Sequence, residues 1–171
     1  YLSTLSKCLT PGLRVAFVLL RDPHERDRFM AALRSFVLMA APLTAALATQ
    51  WILDGSAARL VAGVRQEARL RHRMAGDVLA GRYSGGGDGL HAWLELPGYW
   101  SPSQLAQACR EEGIAVMPAE AFAAGSAGGA SNAIRISLGS VQHRERLRAA
   151  LGRLSDLLAR QPGPLQAAAP S

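Results

Sequence analysis

With 171 residues, 49% of them hydrophobic and 19% charged, the chain has room for one domain, or a small domain plus part of another, and is too apolar to be disordered. The net charge of +6 comes from 19 basic residues, only one of them a lysine, spread over several segments rather than gathered into a nucleic-acid stripe. Two cysteines, Cys8 and Cys109, exclude a disulfide framework, and neither has Cys or His neighbours at zinc-ligand spacing, so no metal and a reduced, cytoplasmic setting are expected.

The first residue is Tyr1 rather than Met, so a processed chain, or one starting partway through a longer protein, is expected. Tyr1 to Leu20 reads as strand, polar loop, strand. The second run, Leu13 to Leu20 (LRVAFVLL), is almost continuously apolar, as a strand buried on both faces would be. Asp22-Pro23 starts a helix that should reach Phe36, with Asp as N-cap and Pro at the first helical position. Ser35 to Leu53 has no charged residue, close to the length of a membrane span. Pro42, Thr44, Thr49 and Gln50 interrupt it, much of the rest is alanine, and no aromatic belt or basic flank brackets it. A buried core helix over 42–53 is the expectation, with no membrane contact. A third, long helix should run from Ser56 to about Ala80 and close at Gly81. Its basic cluster of Arg65, Arg69, Arg71 and Arg73 reads as a solvated face, three of the four falling on one side by four-residue spacing.

Beyond the glycine-rich loop at 84–89 the texture changes. Leu90 to Leu96 reads as a strand carrying Trp93. Ser101-Pro102 caps a helix to Glu112, with Gly113 as its stop. Ile114 to Met117 reads as a short strand ended by Pro118, Ala123 to Ser131 as a flexible loop, and Ala133 to Leu138 as another strand. Leu147, Leu151, Leu154 and Leu158 follow the spacing of an amphipathic helix. The expected fold class is α/β: residues 1–55 end a larger sheet domain, 56–83 form a long inter-domain helix, 84–160 make a small α+β domain, and the tail 161–171 is disordered.

Lys7 is the residue with the most chemistry. It lies in a short polar loop between apolar strands, with Thr4 and Ser6 before it and Arg14 seven positions after. Burial and nearby cations would make its amine nucleophilic toward an aldehyde. Thr4 and Ser6 could donate hydroxyl hydrogen bonds to a phosphate, and Arg14 a charge-assisted pair.

The run Thr4-Leu5-Ser6-Lys7 through Thr10-Pro11-Gly12-Leu13-Arg14 resembles the S/T-x-S-K…P-G-L-R signature of class I/II, fold-type-I aminotransferases. Three later stretches agree in order. Gly89 to Pro97 is similar to the first strand of that family's small domain, Gly113 to Pro118 with Phe122 to its G-V-x-V-x-P-x-x-x-F segment, and Asn132 to Gly139 to its arginine-bearing strand. Ala16 and Cys8 depart from the usual glycine and threonine. The nearest likeness is to the aminotransferase-like domains of the MocR group of GntR-type regulators. The resemblance implies that Lys7 bonds pyridoxal phosphate, that Thr4, Ser6 and Arg14 hold its phosphate, and that Arg135 holds a substrate α-carboxylate. It makes residues 1–55 the end of the large, cofactor-binding domain.

It also implies two functions. One is a transcriptional regulator, homodimeric, that binds an amino acid or 2-oxo acid and reaches DNA through an N-terminal domain outside this chain. The alternative is a free-standing transaminase. A complete domain of this type is more than twice as long, and the acidic partner of the pyridine nitrogen, the ring-stacking aromatic and the glycine-rich phosphate loop are expected outside these residues. The isolated 171-residue chain supplied with pyridoxal phosphate, an amino acid and a 2-oxo acid is therefore expected to show no transamination. Chromatographic detection of new 2-oxo acid is the measurement, and any protein-dependent product contradicts it.

Overall fold

The computed structural model describes residues 1–80, 83–85, 87–123 and 131–162. They form two compact units, Tyr1–Arg65 and Gln66 onward, and the division falls within one helix.

In the first unit, β1 (Leu2–Thr4) and β2 (Ala16–Val18) pair antiparallel, with Leu2 opposite Val18 and Thr4 opposite Ala16. A short 3-10 turn, Pro11–Leu13, precedes β2 and packs on the helix Pro42–Leu53. Thr10 caps the turn, its hydroxyl accepting from the Gly12 N–H at 3.3 Å. Asp22 caps α1 (Pro23–Phe36) by accepting from the His24 N–H at 2.8 Å, and Pro42 opens α2 (Pro42–Leu53).

Two expectations fail here. The strand read over Leu13–Leu20 shortens to three residues, all exposed, and is not buried on both faces. The charge-free helix is not a core helix: in α2 only Ala48 is buried, while Leu43 and Leu53 are about four-fifths exposed. Burial on two faces needs partners on two faces, and within the described residues of this unit nothing covers them. No described helix is long and apolar enough to cross a membrane.

The second unit contains the C-terminal half of α3 (Ser56–Leu79), then β3 (Tyr83–Ser84), β4 (His91–Glu95), α4 (Pro102–Glu111), β5 (Met117–Pro118), β6 (Ala133–Ser137) and α5 (Arg144–Ala159). The four strands make one antiparallel sheet in the order β3-β4-β6-β5. Strand alternation sends Ala92, Leu94, Leu96, Ile134, Ile136 and Leu138 to one face. There they pack with Met74, Ala75 and Leu79 of α3, Leu105 and Cys109 of α4, and the leucine stripe of α5. Each buried leucine of this core contributes roughly 1.5–3 kcal/mol. Burial pushes the Cys109 thiol up to about 11, with Glu112 adding to the shift, so it stays protonated at neutral pH.

Local signals set the ends of these elements. Ser101 and Gln104 form a reciprocal capping box at α4, and Gly113 takes the left-handed conformation (φ 72) that ends that segment. Helix α3 stops at Leu79 because Ala80, not glycine, adopts the left-handed turn (φ 52); Gly81 and most of the 123–131 and 161–171 segments lie outside the described residues. Ile114 to Val116 is not strand, and Pro118 is inside β5 rather than beyond it. An edge strand tolerates proline because one side of it needs no N–H donor. Strand β3 falls partly in what reads as loop. It is held by Tyr83, whose hydroxyl donates to the His72 carbonyl at 2.6 Å and whose ring stacks on the His72 imidazole. Trp100 is a packing residue, its indole N–H donating to the Arg160 carbonyl at the end of α5.

Arg71, counted with the surface cluster by sequence, is buried. It donates to the carbonyls of Leu138, Val141 and Gln142 and to the Glu67 carboxylate, while Glu67 also pairs with Arg144 at the start of α5. Arg69 forks onto Asp88, so the stripe is partly neutralised. Hydrogen bonds from Arg144 first, and then Arg71, hold the Glu67 carboxyl down at about 2, from an ordinary 4.5. A carboxyl depressed in the folded state stabilises fully above its ordinary value and loses that contribution as pH falls from 4.5 toward 2. The gap in urea midpoint between wild type and Glu67→Gln is expected to stay constant from about pH 5 to 8 and to shrink below about pH 4.5. A gap that persists unchanged at pH 2.5 would contradict this.

Candidate functional site

The residues singled out by sequence fall into one group in each unit. In the first, Thr4 ends β1, and a hydrogen-bonded turn follows, closed by the Leu9 N–H on the Leu5 carbonyl at 2.9 Å. The Cys8 thiol adds a contact to the Thr4 carbonyl at 3.6 Å. Ser6 and Lys7 sit in this turn, Ser6 half-buried and Lys7 exposed. The expected burial of Lys7 is therefore absent, because the flanking strands are themselves exposed. Arg14 comes directly after the 3-10 turn, at φ 50 and ψ 36, with its N–H on the Pro11 carbonyl at 3.3 Å. A non-glycine residue in this left-handed region costs roughly 1–2 kcal/mol, and such strain gathers at functional positions. None of the side chains of Thr4, Ser6, Lys7 and Arg14 has a hydrogen bond or ion pair among the described residues, so two hydroxyls, an amine and a guanidinium are left free on one connection.

In the second unit, Arg135 lies on the sheet face opposite the helices. Its neighbours across the sheet are Trp93 on β4 and Met117 on β5. The guanidinium carbon stands 4.3 Å from the centre of the Phe122 ring, and Trp93 meets that ring edge-on at 5.4 Å. The Nε of Arg135 is buried without a hydrogen-bond partner, whereas neither terminal nitrogen is buried without one. No carboxylate pairs with this cation among the described residues. An arginine supported by an aromatic face and unpaired with any acid suits an exogenous carboxylate. Among the described residues no His, Cys, Asp and Glu cluster could hold a metal ion.

No family model matches the chain. It is 28% identical over 159 residues to an uncharacterized HTH-type transcriptional regulator of Bacillus subtilis, across 92% of this chain and 34% of that protein. It is 32% identical over 142 residues to the 2-aminoadipate transaminase of Thermus thermophilus, across 80% of this chain and 35% of that protein. The chain thus spans about a third of the length of these curated relatives. The solved α-aminoadipate aminotransferase from Thermus thermophilus, complexed with N-(5'-phosphopyridoxyl)-L-leucine, superposes with a TM-score of 0.78 at 30% identity, over 93% of this chain and 41% of that one. The chain has the fold of the fold-type-I aminotransferases and is similar to them in sequence. This aminotransferase-like chain also matches the kynurenine aminotransferase of Pyrococcus horikoshii, with a TM-score of 0.80 over 93% of its length, at 21% identity, which speaks to the fold alone.

Thr4, Ser6, Lys7 and Arg14 are legible in the sequence because they fall within one short stretch of it. Phe122 enters the sequence reading only as part of a motif, and Trp93 only as a residue of the strand at 90–96. Their meeting with Arg135 had no local signal, since it depends on how β4, β5 and β6 register.

Proposed function

We propose that this chain is the pyridoxal-phosphate-binding, aminotransferase-like part of a MocR/GntR-type transcriptional regulator. The observation that carries the reading is the set of unpartnered donors on the β1–β2 connection, with Arg14 strained among them. Two hydroxyls and a guanidinium are the chemistry a phosphate needs, and a primary amine is what an aldehyde needs. These residues therefore fit the cofactor: Thr4, Ser6 and Arg14 hold its phosphate and Lys7 its aldehyde carbon. When bound, pyridoxal phosphate supplies an electron-withdrawing ring that makes the Cα–H bond of an amino acid acidic. With the cofactor bound, the Lys7 amine would be the group placed to move the proton at the amino acid's Cα. Arg135 holds the α-carboxylate of the amino acid or 2-oxo acid and fixes its orientation.

The match to the Bacillus HTH-type regulator over 92% of the chain supports the regulatory reading. That reading carries with it, as parts of the proposal, DNA bound through a separate winged-helix domain, a homodimeric assembly and a cytoplasmic location. The 32% identity to the Thermus transaminase supports a second reading, a free-standing aminotransferase. Reading the coding sequence upstream of the Tyr1 codon separates them. A winged-helix domain, a linker and the rest of the cofactor domain favour the regulator; the rest of the cofactor domain alone favours the enzyme. For the cofactor itself, borohydride reduction of the full-length protein followed by peptide mass analysis should place phosphopyridoxyl on Lys7. An unmodified Lys7 peptide would defeat both readings.

A further inference from the structure

Among the described residues Arg135 pairs with no carboxylate, and the side-chain contact that orients it is aromatic. The Phe122 ring lies under its guanidinium at 4.3 Å, on a 3-10 turn (Ala119–Phe122) that follows directly from β5. The ring is held in turn by the edge-on contact with Trp93, which stands opposite Arg135 on the neighbouring strand. Three consequences follow from chemistry. A ring covering one face of the guanidinium blocks that face and leaves its in-plane edges for a carboxylate. The edge containing Nε is closed as well, because Nε is buried and without a partner. What remains is the fork of the two terminal nitrogens, a planar pair that matches the two oxygens of a carboxylate.

We propose that Phe122, braced by Trp93, is the positioning residue for Arg135, fixing the guanidinium so that its terminal nitrogens, and not Nε, receive a ligand carboxylate. This rests on the reading of Arg135 as the carboxylate holder. The ring compensates the cation electrostatically without neutralising it, so the charge stays available. An acidic side chain in the same place would pair with the guanidinium and compete with the ligand. Phe122 is itself 42% exposed, so its replacement is not expected to unfold the sheet.

Two measurements test the proposal. The first needs no ligand: in arginine-labelled protein, the ring current of Phe122 should shift the Arg135 Nε–H resonance, and burial should slow its exchange with water. Phe122→Leu is expected to remove the shift and speed the exchange, while Phe122→Tyr restores both. The second uses the full-length protein loaded with pyridoxal phosphate and the proteinogenic amino acids plus 2-aminoadipate as probes, followed by cofactor absorbance. The tightest binder is compared with its decarboxylated amine. Phe122→Leu is expected to weaken the amino acid roughly fivefold to tenfold and leave the amine unchanged, and Phe122→Tyr to recover most of the loss. Equal weakening of acid and amine, or no change in the resonance, overturns the proposal. If instead Arg135→Gln leaves the preference for acid over amine intact, the carboxylate role of Arg135 falls, whatever the Phe122 variants do to the resonance.

Discussion

Replacing Lys7 with alanine in the full-length protein is expected to abolish covalent capture of pyridoxal phosphate, read as complete loss of the borohydride-trapped adduct and of the protein-bound visible absorbance. Lys7 is the only lysine in the 171 residues, and its amine is exposed and unpartnered at the turn that also presents Thr4 and Ser6. Lys7→Arg should lose capture equally, because a guanidinium stays protonated and cannot act as a nucleophilic amine. Neither variant should shift the unfolding midpoint of the cofactor-free protein by more than about 0.5 kcal/mol, since an exposed side chain without partners holds nothing in place. A large loss of stability together with loss of capture would mean that Lys7 supports the fold instead. A phosphopyridoxyl label on a lysine of the full-length protein outside these 171 residues, with the Lys7 peptide unmodified, would sink the assignment outright.

The second large effect is on stability. Arg71→Met is expected to destabilise the second unit by about 3–5 kcal/mol, measured as a fall in urea midpoint followed by tryptophan fluorescence. The residue is 6% exposed, and its guanidinium satisfies three carbonyls, Leu138, Val141 and Gln142, in the connection from β6 to α5. Methionine fills the space but donates nothing, so those carbonyls lose their partner while still shielded from water. Glu67 keeps Arg144, which limits the damage to the carboxylate. Arg71→Lys should fall between, since one ammonium cannot span a fan of four acceptors. A loss under about 1 kcal/mol for Arg71→Met would show that water replaces the guanidinium and that the connection is not held by it. The effect has a local consequence as well, because Leu138 is three residues beyond Arg135 on the same chain segment.

What could be read from the residues alone was whatever is decided within a few positions of the chain. Asp22-Pro23, Pro42 and Ser101-Pro102 start their helices where expected because a cap and a proline at the first turn act on their own backbone. The leucine spacing of α5 and the alternation of β4 and β6 show which side faces the core, since each period is fixed by the geometry of its own element. The ordered Thr4, Ser6, Lys7 and Arg14 needed no fold to be noticed. Tertiary structure decided the rest. It left β2 and most of α2 uncovered in the described residues, although both are as apolar as core, because burial depends on a partner surface and not on composition. It placed Arg71 inside and Arg69 outside on one helix, and it turned a stretch read as loop into β3 by pairing it with β4. It brought Phe122 under Arg135 through a strand register that no local pattern encodes. Side chains far apart in sequence meet only after the sheet has formed, so the contact that orients the cation belongs to the fold, while the cation itself was already in the sequence.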